Sequence, residues 1–490
     1  MTPRYLLLAC LAWLTLLLPA AAAKKNIVLF VADDLGKDLG CYGNPAIKTP
    51  HIDRFAAEGT LFTHAFATTA SCSASRSVIL TGLHNHANAH YGHQHSYHHF
   101  SSYDWVKSLP VLLKQAGYRT ARVGKYHVAP EEVYKFDRAL PGNSRDMVTM
   151  TDNARDFIAA QSKQPFFLYI CTSDPHRGGG KASELPHQPD RFGNKAQGNY
   201  PGIDEVKYSP ADVIVPPFLP DTPACRAELA QYYQAVSRID QGFGYLLQTL
   251  KDAGVYDDTL ILLISDHGIA MPGAKTTVYE PGLNAPCIVR SPDAKQRGIK
   301  NAALVSWVDL TPTLLDYAGI LSTDGRTLAA EIATMPGGGK KRTPYRFHGR
   351  SFLGIIDQQP EEGWDRVYAS HTFHEIQMYY PMRVVRERKY KLIWNIAHPL
   401  PFPFASDLWA SAAWQAQWEL GKEAPYGQRT VGEYIQRPKF ELYDMEKDPY
   451  EGNNLADDPQ YQAVLYEMQK KLQSFQQQAD DPWILKWQYE

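Results

Sequence analysis

The 490-residue chain carries a formal net charge of -2, with 50 basic against 52 acidic side chains. A balance this even provides no strong positive field, which argues against nucleic acid or a membrane surface as the partner. Six cysteines in such a length are too sparse for a disulfide-built fold. With Cys72 set aside, Cys41, Cys171, Cys225 and Cys287 are expected as mostly buried thiols.

In chain order, Arg4, the apolar run Leu6 to Leu18 and the small residues up to Ala23 read as a secretory signal, residues 1–23, removed before Lys24. That run is too short to span a membrane, and no later run of about 18 apolar residues follows it. The mature chain is therefore expected to be exported, periplasmic or secreted, without stable membrane anchoring. Asn26 to Ala32 is a nearly continuous apolar run that ends at Asp33-Asp34, the pattern of a buried strand with acids at its carboxyl end. Phe166 to Ile170 and Leu260 to Ile264 repeat the design, ending at Ser173-Asp174-Pro175-His176 and Ser265-Asp266-His267-Gly268. Helical stretches lie between them, notably Ser108 to Gln115 and Ala227 to Ala253. Strands alternating with helices predict an α/β fold with a large, mostly parallel sheet, whose ligand sites collect at the carboxyl ends of the strands. A Gly- and Pro-rich boundary near 335–349 separates a large domain over 24–345 from a smaller one over 346–490. Short strand-like runs at Val367, Lys391 and Phe440 and a helical pattern from Tyr461 to Phe475 predict a small antiparallel sheet with a closing helix.

Three carboxylates, Asp33, Asp34 and Asp266, would converge if their strands are neighbours. With His267, such a cluster calls for a hard cation such as Ca²⁺ or Mg²⁺. From these pairs alone, helix caps and turns explain the residues equally well. Lys125 and His127, spaced by two, are expected on one face of an extended segment, offering a fixed positive charge and a proton carrier. His84, His86, His90, His93, His95, His98 and His99 crowd one stretch. Without cysteines or an ordered ligand spacing, a polar loop near a pocket with incidental metal affinity is favoured there over a zinc site.

Cys72-Ser73-Ala74-Ser75-Arg76, followed by Thr81-Gly82, resembles the signature of type I sulfatases in the alkaline phosphatase superfamily. Asp33-Asp34, Gly124-Lys125-Tyr126-His127, Ser265-Asp266-His267-Gly268 and Lys275 resemble that family's other conserved segments and occur in its order. The likeness is closest to the sulfamidase branch. Tyr91-Gly92, Asp174-Pro175-His176-Arg177, His374-Glu375, Tyr380-Pro381-Met382-Arg383 and Asp481-Pro482-Trp483 carry it along nearly the whole mature chain. Three residues depart from the pattern: His267 replaces asparagine and Lys275 replaces arginine of that branch, and Ala74 replaces the family's commoner proline.

The resemblance implies an alkaline phosphatase-like fold and hydrolysis of sulfate from a sulfated glycosaminoglycan saccharide, foremost the N-sulfate of glucosamine in heparan fragments. It implies a formylglycine made from Cys72 by a formylglycine-generating or anaerobic sulfatase maturase, Ala74 pointing to the latter. It further implies a Ca²⁺ ion, Mg²⁺ being the alternative, held by Asp33, Asp34, position 72, Asp266 and His267. Catalysis would fall to Cys72, Arg76, Lys125, His127, His176, Asp266 and Lys275, with Lys125, His176 and Lys275 holding the sulfuryl group. His374, Glu375 and Arg383 are expected to touch the sugar. A homodimer stays open. So do an O-sulfatase for glucosamine 6-sulfate, a phosphonate or phosphodiester hydrolase, and a sulfatase-like glycan binder.

Overall fold

The structure, a computed structural model, describes residues 25–178, 191–195, 198–329, 333–337, 342–360 and 362–489. The expected leader over 1–23 lies outside them. Eight strands form the main sheet: β1 (Asn26–Ala32), β2 (Thr60–Phe66), β3 (Arg119–Gly124), β4 (Arg138–Leu140), β5 (Phe166–Cys171), β6 (Thr259–Ser265), β7 (Cys287–Arg290) and β8 (Ile299–Ser306). Their order is β4-β3-β5-β1-β6-β7-β2-β8. Every pairing is parallel except those of β7, which runs antiparallel to both β6 and β2.

The three apolar runs sit together at the centre, where both faces of the sheet are covered and an all-apolar sequence loses nothing by burial. Ile27 through Ala32 and Leu260 through Ile264 are wholly buried. Helix α1 (Pro50–Ala57), helix α2 (Cys72–Thr81), helix α3 (Met147–Ala159) and the 30-residue helix α4 (Pro223–Asp252) are the main helices associated with this sheet. Helix α4 begins where Thr222 accepts a hydrogen bond from Cys225 N, with Pro223 preset in the first turn. Its Phe243 stands edge-on to Phe30 of β1 and Phe55 of α1, at ring-centroid distances of 5.1 and 5.0 Å.

Strands β9 (Arg366–His371), β10 (Met382–Glu387), β11 (Tyr390–Asn395) and β12 (Phe440–Asp444) form the expected antiparallel sheet, paired in that order. Alternation along β10 divides the core: Val384 joins the cluster of the main sheet, and Val385 faces Leu465, Met468 and Leu472 of helix α5 (Gln462–Gln478). The closing helix thus covers one face of the small sheet, and the other face shares its core with the large one. Cys171, Cys225 and Cys287 are buried and free, Cys41 is half-buried and free. Among the described residues, no helix is long and apolar enough to cross a membrane.

Candidate active site

Adjacent pairing of β1 with β5 and β6 brings three strand ends to one place. Ala32 pairs with Ser265, so Asp33-Asp34 and Asp266-His267 leave the sheet side by side. The backbone stitches the corner together: Asp33 N donates to Asp174 O and Asp266 N to Ala32 O, both at 3.0 Å. Asp34 adopts a left-handed backbone, φ 61°, and its N–H donates to Asp266 Oδ1 at 3.0 Å. Helix α2 points its first turn at this corner, with Cys72 as its first residue. Cys72 Sγ lies 3.5 Å from Asp34 Oδ1 and 3.4 Å from His267 Nε2.

One turn along α2, the wholly buried Arg76 spans the two acid pairs. Its Nε donates to Asp266 Oδ2 and its Nη2 to Asp33 Oδ1, each at 3.0 Å. Lys125 Nζ holds Asp33 Oδ2 at 2.5 Å. Lys275 Nζ donates to Asp34 Oδ2 at 3.0 Å and to Asp407 Oδ2 at 2.8 Å. His176 Nδ1, 2.6 Å from Asp34 Oδ2, completes the ring, and its side chain keeps 28% of its surface exposed. Four buried acids, Asp33, Asp34, Asp266 and Asp407, therefore face two lysines and an arginine, so that no buried charge is left unpaired.

The titration behaviour follows from these contacts. Burial works against a charged Lys275, but the carboxylates of Asp34 and Asp407 outweigh it and hold its pKa well above the usual lysine value. Lys275 is thus a fixed cation rather than a proton donor. Burial and the neighbouring Asp33 push Asp266 up to about 6, against the pull of Arg76. Burial and then Lys125 lower His127 far below 6.5, and burial with Lys275 lowers His176 against the pull of Asp34. Both imidazoles therefore rest neutral. Burial, reinforced by Asp34, pushes the Cys72 thiol up, although the residue opens a helix. A thiolate nucleophile needs the opposite environment.

The donors fit a cation. His267 Nδ1 donates to Gly268 O at 3.0 Å. Burial opposes a charged ring, but Asp266 and Asp34 hold its pKa well above the usual value. Nε2 therefore carries a proton towards Asp34 Oδ1 at 3.0 Å, the position a cation would take in its place. Ligand atoms of Asp33, Asp34, Cys72 and His176, and of Cys72, Asp266 and His267, form two groups compact enough to hold a metal ion. Three carboxylates, Asp33, Asp34 and Asp266, dominate the two groups beside the imidazoles of His176 and His267, a set that suits a hard divalent ion.

Several expectations need correction. Lys125 and His127 do not share a strand face: β3 ends at Gly124, and His127 has a left-handed backbone, φ 59°. The turn sends Lys125 to Asp33, whereas His127 Nε2 meets His95 Nδ1 at 2.7 Å. Arg383, expected at the sugar, is buried and bound through Nε and Nη2 to both oxygens of Asp481, at 2.6 and 3.0 Å, with Trp483 over its guanidinium. It braces the C-terminal segment against β10. Glu375 is likewise occupied, accepting from Ser406 N and Oγ and from Gln377 Nε2. It shapes the turn that presents Asp407. His374 is buried between Ser71 Oγ and His93 Nε2, at 2.9 and 3.0 Å, directly behind Cys72.

Asp407 escaped the sequence reading because a lone acid in Pro401 to Trp409 belongs to no motif or periodic pattern. Asp407→Asn keeps the shape but removes a charged partner of Lys275, a loss of about 1.5–3 kcal/mol. The expected result is a lowered thermal midpoint together with a fall in kcat/KM of about 10- to 100-fold, as Lys275 loses the partner that positions it. Arg383→Ala should act on stability alone. It strands the Asp481 carboxylate in the core at a cost of about 3–5 kcal/mol, seen as a lower thermal midpoint, while KM of the folded fraction stays the same. Burial opposes ionisation of Asp481, but Arg383 holds its carboxyl well below the usual range. That stabilisation is present above the unfolded carboxyl's pKa near 4 and is lost as the pH falls through the lowered native value.

The sulfatase family model matches residues 25–320, and the chain belongs to that family. It is a sulfatase, an enzyme that hydrolyses a sulfate ester or sulfamate. It is 39% identical to the human N-sulphoglucosamine sulphohydrolase, over 97% of this chain and 94% of that protein. An N-acetylglucosamine-6-O-sulfatase of Bacteroides thetaiotaomicron is 24% identical over 95% of this chain and 91% of its own. Among solved structures, a protein bound to its substrate D-glucosamine-2-N,6-O-disulfate shares the fold with a TM-score of 0.65 at 20% identity, covering 94% of this chain and 99% of that one. The phosphonate monoester hydrolase of Agrobacterium radiobacter shares it at 0.63 and 18%, covering 93% and 96%.

Proposed function

We propose that this sulfatase removes the N-sulfate from glucosamine units of heparan-type saccharides, with a formylglycine derived from Cys72 and with Ca²⁺. The observation that carries the substrate is the 39% identity to the human sulphohydrolase across 97% of this chain, which includes the C-terminal part that supplies Asp407 and His374 beside the site. The raised thiol of Cys72 argues against the unmodified side chain as the nucleophile, because it is held in its unreactive form. Asp33, Asp34, Asp266 and His267 would hold the cation, whose role is to polarise a sulfuryl oxygen and lower the pKa of a neighbouring hydroxyl. The hydrated aldehyde at 72 supplies the attacking oxygen and a second hydroxyl for releasing sulfate.

The protein's own groups do the rest. Arg76 fixes Asp33 and Asp266 relative to the start of α2, so the attacking position and the donors cannot drift apart. Lys125 and Lys275 stay charged and hold the sulfuryl oxygens as negative charge builds in the transition state. His176 rests neutral, and an arriving anion favours its protonated form, so it can deliver a proton to the departing nitrogen. Neutral His127 is ready to take the proton of the second hydroxyl. A maturase acting on Cys72 and an exported location complete the reading.

Matured protein assayed on N-sulfoglucosamine, glucosamine 6-sulfate and a phosphodiester tests the assignment. The expected result is a kcat/KM at least about 100-fold higher for the N-sulfate. A preference for the 6-sulfate would move the chain to the O-sulfatases, and a preference for the phosphodiester would refute sulfur specificity.

A further inference from the structure

The histidine-rich stretch is not a solvated loop. His93 is buried, and its ring lies 4.8 Å from His95 and 4.9 Å from His127, centroid to centroid. His95 and His127 are 4.8 Å apart, which closes the triangle. One nitrogen from each ring lies within 4.8 Å of the other two.

The hydrogen bonding leaves lone pairs unused. His374 Nδ1 pairs with Ser71 Oγ, and its Nε2 faces His93 Nε2 at 3.0 Å. If His374 donates to Ser71, His93 donates through Nε2 to His374, and His93 Nδ1 is left with an open lone pair. That nitrogen is buried and has no partner, as is His127 Nδ1. A ring nitrogen fixed by a bond at its opposite side is how proteins prepare imidazole ligands. Burial lowers the pKa of all three rings, so each is neutral and free to ligate at neutral pH. The contact between His95 Nδ1 and His127 Nε2, 2.7 Å, is close enough for one proton to be shared or one ion to be bridged.

We propose that His93, His95 and His127 form a second metal site, separate from the Asp33, Asp34, Asp266 and His267 cradle, that takes a borderline-soft divalent ion such as Zn²⁺. Three neutral imidazoles with no carboxylate among them suit zinc and not calcium. An ion with Zn–N bonds of about 2.0–2.1 Å needs only a small spreading of the 2.7 Å contact, and it leaves a fourth position for water. The exposed His95 is the entry side. The site shares His127 with the reaction, so a bound ion withdraws the base and stops turnover. The block on turnover rests on the catalytic reading of His127, and the binding does not.

The test titrates full-length, calcium-saturated protein with Zn²⁺ against a chromophoric chelator, for the wild type, His95→Gln and His93→Gln/His95→Gln. The wild type should take up one zinc beyond any that the calcium-filled cradle accepts. His95→Gln should bind that ion at least about tenfold more weakly, and the double variant should lose it. Turnover, compared with and without zinc within each protein, should fall in the wild type and hold in the variants. Equal zinc uptake by wild type and double variant, with both shown folded by circular dichroism, would overturn the site. Uptake of the zinc by the wild type with no fall in turnover would keep the site and remove His127 from the reaction.

Discussion

Cys72→Ala should abolish turnover, with kcat falling by about 10⁴-fold or more, the scale seen when a covalent nucleophile is removed. Substrate affinity should change far less, because Lys125, Lys275 and His176 still hold the sulfuryl group. Cys72→Ser should be as inactive. A sulfated serine would need an outside water to release it, whereas a hydrated aldehyde carries its own second hydroxyl. Mass spectrometry of the active wild type should show a modified residue 72. Full activity with an unmodified thiol, or turnover by the alanine variant, would refute the mechanism.

Arg76→Ala is expected to rank with Arg383→Ala among the most damaging single changes to stability. The guanidinium is wholly buried and is bonded to Asp33 and Asp266 at once. Its removal leaves two carboxylates without their bridge in a dry corner, a cost of about 3–5 kcal/mol. Arg76→Lys should recover little, because an ammonium cannot reach both acids in the fixed fork geometry of arginine. Chemical denaturation with a chelator present measures the loss. Added Ca²⁺ should restore part of it in the variant, since a cation in the cradle neutralises the same acids.

The central strands were legible because their residues are apolar on both faces, and the acids that end them were legible because strand ends are where a sheet opens to ligands. Strand β7 was not, since four residues from Cys287 to Arg290 give no period to read and its antiparallel direction is set by its neighbours. The convergence of Cys72, Arg76 and the acid pairs on one corner could be read through motif likeness. Placement of Arg383, Glu375 and Asp407 could not, because their roles depend on partners roughly 30 to 130 positions away, such as Ser406, Asp481 and Lys275. The same holds for His93 and His95, whose meaning depends on the left-handed turn that brings His127 back to them.

Helix α2 is buried from Cys72 to Thr81, along its entire length. An enzyme that modifies residue 72 cannot grip a ten-residue helix sealed on every side. On the proposed reading such an enzyme would meet this segment as extended chain, before the Trp307–Asp309 turn and the helix after it close over α2. On that reading conversion would compete with folding, and chain that folded first would stay a thiol, inactive until it unfolded.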